Sequence, residues 1–256
     1  MNRIDHTFQK SKKEGKTLFI AYIMAGDPSL AATEKLVPAL EASGVDILEL
    51  GVPFSDPIAD GVVNQNAGMR ALKSGTTLTE ILNSVKKIRR VSQLPMVIFS
   101  YLNPILQYGV EAFAHDAAAA GIDGILTLDL PPEEAQSFVV PFKQAGLKTI
   151  FLISPTTPKE RIKKISSLAS GFIYYVSRLG VTGIQKNLAK GLSEKLREIK
   201  ANCSLPIAVG FGVSQPHHVK QLSGRCDAIV VGSAIVKKIE EKGNVSQFVQ
   251  TLTKEL

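Results

Sequence analysis

Three carboxylates, Glu49, Asp56 and Asp60, fall within one short stretch of the chain. Val45 to Leu50 has the apolar character of a buried strand interrupted by Glu49, and Gly51 to Gly61 is a turn-rich loop that brings the two aspartates close behind it. A bare charge on a buried strand is costly, so Glu49 must be paired, be protonated or face a polar cavity. Period-two alternation puts it on one face with Val45, Ile47 and Gly51. A desolvated Glu49 would keep its proton to near-neutral pH and act as an acid, while Asp60 in its polar loop would stay ionised. On this stretch alone a plainer reading stays open, a strand-end glutamate in solvent followed by a helix-capping aspartate.

Two glycine clusters form a second constellation. Gly210-Phe211-Gly212 follows one apolar run, and Gly232-Ser233 follows the next and opens a helical pattern. Backbone N–H groups at such a helix start, unobstructed by side chains, make an anion site, and phosphate is the expected anion. A third stretch, Ser177-Arg178-Leu179-Gly180-Val181-Thr182-Gly183, has hinge material for a lid, or is a surface loop without function. Other chemistries have less support. The strand lysine, Lys148, lies at the wrong end of its strand for a Schiff base, and His6, His115, His217 and His218 form neither a dyad nor a metal triad. A cation held by Glu49, Asp56 and Asp60 stays open, since hard cations accept such oxygens. The favoured chemistry is carboxylate acid–base catalysis on a small phosphorylated compound.

The elements that must position these groups are repetitive. Eight apolar runs, 17–24, 45–50, 95–100, 124–129, 148–154, 171–177, 206–210 and 228–231, alternate with amphipathic helical patterns, after a first helix over 4–14. Near-continuous apolar strands need covering on both faces, and eight of them, each followed by a helix, predict a closed (β/α)8 TIM barrel with an extra N-terminal helix, one domain over 1–256. An open dinucleotide-binding sheet would carry a glycine fingerprint after its first strand, where this chain has Ala25-Gly26-Asp27-Pro28. At 256 residues with 45% hydrophobic side chains, one large core is expected. The net charge of +7 is spread over helix faces such as Lys86-Lys87-Ile88-Arg89-Arg90, and with 6% aromatics and no Trp it argues for no nucleic-acid partner. Two cysteines, no apolar leader and no membrane-length run point to a cytoplasmic protein without a membrane segment.

The stretch Glu49-Leu50-Gly51-Val52-Pro53-Phe54-Ser55-Asp56-Pro57-Ile58-Ala59-Asp60-Gly61 resembles the signature of the tryptophan synthase alpha subunit family, and Gly26-Asp27-Pro28, Ser177 to Gly183, Gly210 to Gly212 and Gly232-Ser233 agree with its other motifs in order. The resemblance implies retro-aldol cleavage of indole-3-glycerol phosphate to indole and glyceraldehyde 3-phosphate, with no cofactor and no metal. It implies that Glu49 shuttles protons, that Asp60 stabilises positive charge near the indole nitrogen, and that Tyr174 assists. Phosphate would be held by Gly183, Phe211, Gly212, Gly232 and Ser233, and the indole would lie among Tyr22, Phe99, Tyr101, Leu128 and Ile153 under a lid carrying Thr182. A beta subunit that uses pyridoxal phosphate is the implied partner, in a linear alpha-beta-beta-alpha assembly, facing Asp56, Asn103, Pro104 and Tyr108. The chain departs from the family's pattern with Val62 where proline usually follows Gly61, Tyr22 in place of Phe, and a bulkier Leu128. Two other readings are a regulatory subunit that mainly activates its partner, against which the presence of both Glu49 and Asp60 argues, and another phosphate-binding barrel, which leaves the stretch from Glu49 to Gly61 unexplained.

Overall fold

A computed structural model describes residues 1–177, 191–210 and 212–256. Eight strands, β1 (Leu18–Met24), β2 (Ile47–Gly51), β3 (Met96–Ser100), β4 (Gly124–Thr127), β5 (Lys148–Ile153), β6 (Ile173–Val176), β7 (Ile207–Gly210) and β8 (Ala228–Val231), pair in parallel in chain order and close into a barrel. Around them run α1 (Arg3–Glu14), α2 (Leu30–Ala42), α3 (Val62–Lys73), α4 (Leu78–Ile88), α5 (Leu102–Tyr108), α6 (Val110–Ala120), α7 (Ala135–Gln144), α8 (Lys159–Leu168), α9 (Leu192–Asn202), α10 (Pro216–Leu222), α11 (Ser233–Glu240) and α12 (Val245–Thr253). The expected TIM barrel with its extra N-terminal helix is the fold observed.

Several strands are shorter than their apolar runs, for local reasons. Val45 closes the end of α2 by donating to Leu40 O at 3.2 Å, so β2 starts two residues later. Asp129 leaves β4 to accept from Leu102 N at 2.7 Å at the start of α5. Ser154 turns away from β5, its N–H taken by Thr157 Oγ1 at 3.0 Å.

Strand side chains alternate between two apolar layers, as the pleat requires. Ile20, Ile47, Val97, Leu126, Ile150, Phe172, Ala208 and Ala228 fill the barrel interior. Phe19, Leu48, Ile98, Ile125, Phe151 and Ile207 face the helices. Val45, expected on the face of Glu49, belongs to the helix-facing layer because it sits in the turn rather than in the strand.

The interior needs a floor, and α1 supplies it. Ile4 and Phe8 enter the lower barrel, with the Phe8 ring 5.6 Å from that of Phe172. Asn2 caps α1 by accepting from Ile4 N at 2.9 Å, while its Nδ2 donates to Asp123 O at 2.8 Å and Gly146 O at 3.0 Å. Asp123, almost wholly buried, binds Arg3 Nη1 at 2.9 Å, Arg89 Nη2 at 2.8 Å and Met96 N at 2.9 Å. Its removal leaves a largely buried guanidinium and a strand N–H without their acceptor, whereas Arg3 is 39% exposed. Asp123→Ala is therefore expected to cost about 3 kcal/mol or more and Arg3→Ala less than about 1 kcal/mol. Urea unfolding of the two variants checks the order.

Candidate active site

Glu49 is the third residue of β2, on the inward face above Ile47. Its strand neighbours in register are Tyr22 on β1 and Val97 on β3. The side chain is fully buried, and neither carboxylate oxygen meets a hydrogen-bond donor among the described residues. Burial without a compensating donor disfavours the anion and pushes the carboxyl up to about 8. Near neutral pH this group holds a proton yet lies close enough to its midpoint to give it up and take it back, which suits a general acid–base.

Two tyrosines lean across the same mouth, each over a glycine. The Tyr22 ring meets Phe99 edge-on, with centroids 5.0 Å apart and planes at 70°, and its hydroxyl lies where a Cβ on Gly51 would be. Tyr174 lies over Gly210 in the same way. A side chain at either glycine would displace a phenol from the site, so these glycines are needed for close approach rather than for backbone freedom. Burial, followed by the nearby Asp60 and Glu49, raises the Tyr22 phenol well above its ordinary value, and burial and Glu49 do the same for Tyr174.

Asp60 stands just before α3, whose N-cap is Gly61 and whose first residue is Val62. A helix can start there without proline, and the side chain of Gln65 further pins the loop by donating to Asp60 O at 2.8 Å. The carboxylate is gripped from two elements: Tyr101 donates to Oδ2 at 3.2 Å, and Asn64 Nδ2 lies 3.5 Å from Oδ1. The Tyr101 oxygen in turn accepts from Ala59 N at 3.0 Å. The residue types of this loop predict a polar setting around Asp60, solvated by water. Instead it is buried, and burial raises its carboxyl while the bonds from Asn64 and Tyr101 pull it down.

Glu49, Tyr22, Phe99, Tyr174, Gly212, Gly232 and Ser233 all border one small cavity of about 40 Å³. The anion end is built from backbone. Gly232 is the N-cap of α11, and Ile235 N and Val236 N already donate back to its carbonyl, so the N–H groups of Ser233 and Ala234 precede the first helical bonds. Gly212 has φ +88°, a left-handed conformation natural to glycine. Gly183, Phe211 and Thr182, with the rest of 178–190, lie outside the described residues.

The remaining sequence assignments sort by register. Leu128 follows β4 and packs against the barrel interior, as expected of a slot residue. Ile153 does not: it is buried in the helix-facing layer, and Leu152 is the β5 side chain turned inward. Tyr101 is tied to Asp60 by its hydroxyl, and its ring stacks at 5.1 Å on Phe54 rather than on the slot aromatics. Asp27, at the end of β1, is bound bidentately by Arg70 at 2.8 Å and 2.8 Å, and Arg70 also reaches Glu240 at 2.7 Å, so that carboxylate joins β1, α3 and α11. Asp56 and Asn103 are exposed, Pro104 is half-buried, and half-buried Tyr108 donates to Asp116 at 2.7 Å. Among the described residues no group of three or more acids, histidines or cysteines is placed to hold a metal ion. The residue that sequence reasoning missed is Asn64, buried on α3 and bordering the cavity. Its position four residues after Asp60, one helical turn away, was the available signal.

A family model described as Tryptophan synthase alpha chain matches residues 8–255. Among curated relatives, the tryptophan synthase alpha chain of Geotalea daltonii is 48% identical over 94% of this chain and 91% of its own length, and that of Solibacter usitatus 46% identical over 100% and 97%. Among solved structures, tryptophan synthase subunit alpha from Legionella pneumophila superposes with a TM-score of 0.90 at 36% identity, covering 100% of this chain and 98% of its own. A chain of the tryptophan synthase α2β2 complex of the hyperthermophile Pyrococcus furiosus gives 0.85 at 43% identity, covering 94% and 97%.

The raised Glu49 carboxyl has a consequence for stability. A group whose folded value exceeds its unfolded one favours the fold most below the unfolded value, and that contribution is lost as pH rises through the folded one. Between about pH 4.5 and about 8 the parent should lose stability relative to Glu49→Gln, which cannot ionise, by roughly 1.4 kcal/mol per pH unit at most. Thermal unfolding of both at pH 5 and pH 8 tests this: a gap in Tm that does not widen in favour of the glutamine variant at pH 8 contradicts a neutral buried Glu49.

Proposed function

The chain belongs to the tryptophan synthase alpha chain family, and from that premise we propose that Glu49, Asp60 and Tyr174 are the groups with which it performs the family's reaction. It is a carbon–carbon lyase that cleaves indole-3-glycerol phosphate to indole and glyceraldehyde 3-phosphate. The observation that carries the assignment of roles is Glu49, a fully buried carboxyl without a donor among the described residues, bordering one cavity with aromatic rings, Gly212 and Gly232, the N-cap of α11.

The chemistry needs one proton added and one removed. Neutral Glu49 gives its proton to indole C3, and positive charge develops toward the ring nitrogen. Asp60, ionised, offsets that charge. The glycerol hydroxyl next to the breaking bond then returns a proton to Glu49, its oxygen becomes the aldehyde carbonyl, and the electrons of the broken C–C bond restore the aromatic indole. The net change moves one proton from hydroxyl to carbon and leaves Glu49 as it began, so a carboxyl near 8 serves in both directions. Tyr174, with its phenol kept neutral by burial and by Glu49, is placed to hydrogen-bond a substrate oxygen. Gly183, Phe211, Gly212, Gly232 and Ser233 would hold the phosphate, using N–H groups at the start of α11. Tyr22, Phe99, Leu128 and the inward Leu152 would form the slot for the indole, under a lid carrying Thr182.

The indole passes to a beta subunit for tryptophan synthesis, in an alpha-beta-beta-alpha assembly. We assign the docking face to Asp56, Asn103, Pro104 and Tyr108. Support comes from the exposed apolar side chains beside them, Ile58 at 81% and Leu106 at 52% exposure. Taken as one domain over 1–256, the barrel has no helix among the described residues long and apolar enough to cross a membrane. Two buried cysteines without a disulfide, Cys203 and Cys226, agree with a cytoplasmic setting.

Indole release from indole-3-glycerol phosphate tests the reading. The parent chain should release indole, faster with a beta subunit present, and Glu49→Gln should lose at least about 10³-fold in kcat with substrate binding retained. Asp60→Asn should lose about 10²-fold or more. A parent chain that binds the substrate yet releases no indole with or without partner would leave only the activating role.

A further inference from the structure

Asn64 has no part in the reaction as written above, yet two environments meet at its side chain. It is the third residue of α3, where asparagine is a poor helix former, and it is buried. Its Nδ2 lies 3.5 Å from Asp60 Oδ1, and the same side chain borders the cavity that Glu49, Tyr22 and Phe99 also border. Among the described residues Asp60 does not itself border that cavity. Its Oδ2 faces the Tyr101 hydroxyl and its Oδ1 faces Asn64, so the carboxamide touches both the carboxylate and the cavity.

We propose that Asn64 is a positioning residue for Asp60 and a wall of the indole slot, holding the carboxylate where its charge acts on the ring. The proposal rests on the retro-aldol reading for its meaning, but its geometry does not. Asp60 and Asn64 flank the N-cap Gly61 and lie one helical turn apart, so the donor rides on the helix whose positive end already favours a charge at Asp60. Tyr101 comes from the other side, from the start of α5, and its bond to Ala59 N fixes the direction of its proton toward Asp60. With both donors in place the carboxylate cannot rotate without losing one of them. An apolar side chain at position 64 would leave Oδ1 buried with one donor fewer, and Asp60 would keep its proton to higher pH.

The titratable groups facing Asp60 are Tyr22 on β1 and Tyr101, with Glu49 on β2 beyond Tyr22. Both phenols are raised above their ordinary values and stay neutral through the range in which a carboxyl titrates, and Glu49 titrates near 8. A change at Asp60 is thus separable from its neighbours.

The experiment is carbon-13 NMR titration of aspartate-labelled chain without ligand, with the Asp60 signal assigned by its absence in Asp60→Asn. In Asn64→Leu the Asp60 midpoint should rise by about 0.5 to 1 pH unit. Asn64→Ala, which removes the donor without adding bulk, should show the same rise and serves if the leucine variant fails to fold. The acid limb of kcat for indole release should move upward by the same amount, with KM changed less. An unmoved Asp60 midpoint in either folded variant overturns the proposal, whatever the activity. A moved midpoint in the variant, alongside a parent chain that releases no indole, would keep the positioning role and overturn the reaction assignment instead.

Discussion

A carboxyl has been buried at the mouth of a parallel barrel with no donor from the described residues, and much of the architecture answers to that. Glu49 keeps its raised affinity for a proton because the barrel layers around it are closed: Ile47 below it and Tyr22 and Phe99 beside it. A donor supplied by a neighbouring strand would lower the cost of the anion and with it the ability to return a proton. The glycines of the mouth serve the same end, since Gly51 and Gly210 let two phenols lie across the opening with their rings rather than their backbones against it.

The second carboxylate is handled in the opposite way. Asp60 is buried too, but donors from α3 and from the β3–α5 junction reach both of its oxygens, and it stands before a helix N-terminus. Two acids in one mouth therefore lean toward different protonation states by environment alone, one lacking donors and one held between them. Asp27, a third acid at the same end of the barrel, is neutralised by Arg70 and spends its charge on joining three elements.

The fold was legible because eight apolar runs separated by helical patterns leave few other ways to cover every strand. Glu49 was legible for the same reason, as an acid inside such a run rather than at its edge like Asp46 and Asp129. Register inside the strands was harder. β5 ends with apolar side chains on both faces, so nothing in Leu152 and Ile153 distinguishes the inward one from the outward one, and it is Leu152 that turns inward rather than Ile153, the residue that the family resemblance implies. Val45 misled for a related reason: an apolar residue that closes a helix reads like the first residue of a strand. The burial of Asp60 was invisible because a loop rich in turn residues reads as solvated, while the donors that allow burial come from Tyr101, forty-one residues away, and from Asn64, which the pattern presents as an ordinary polar helix residue.

The floor of the barrel carries a further meaning, one of timing. The helix that seals the interior is made first, but the groups that hold it, Asp123 O and Gly146 O on Asn2 and Lys148 on Asp5, belong to the middle of the chain, with a separation of 121 residues for the nearest of these bonds. During synthesis α1 can meet Leu18, Ile20 and Ile47 early but lacks these bonds until β4 and β5 have emerged, so the seal over the interior is completed only at that length of chain. The arrangement that gives the finished enzyme a dry interior also makes closure of that interior a late event in its folding.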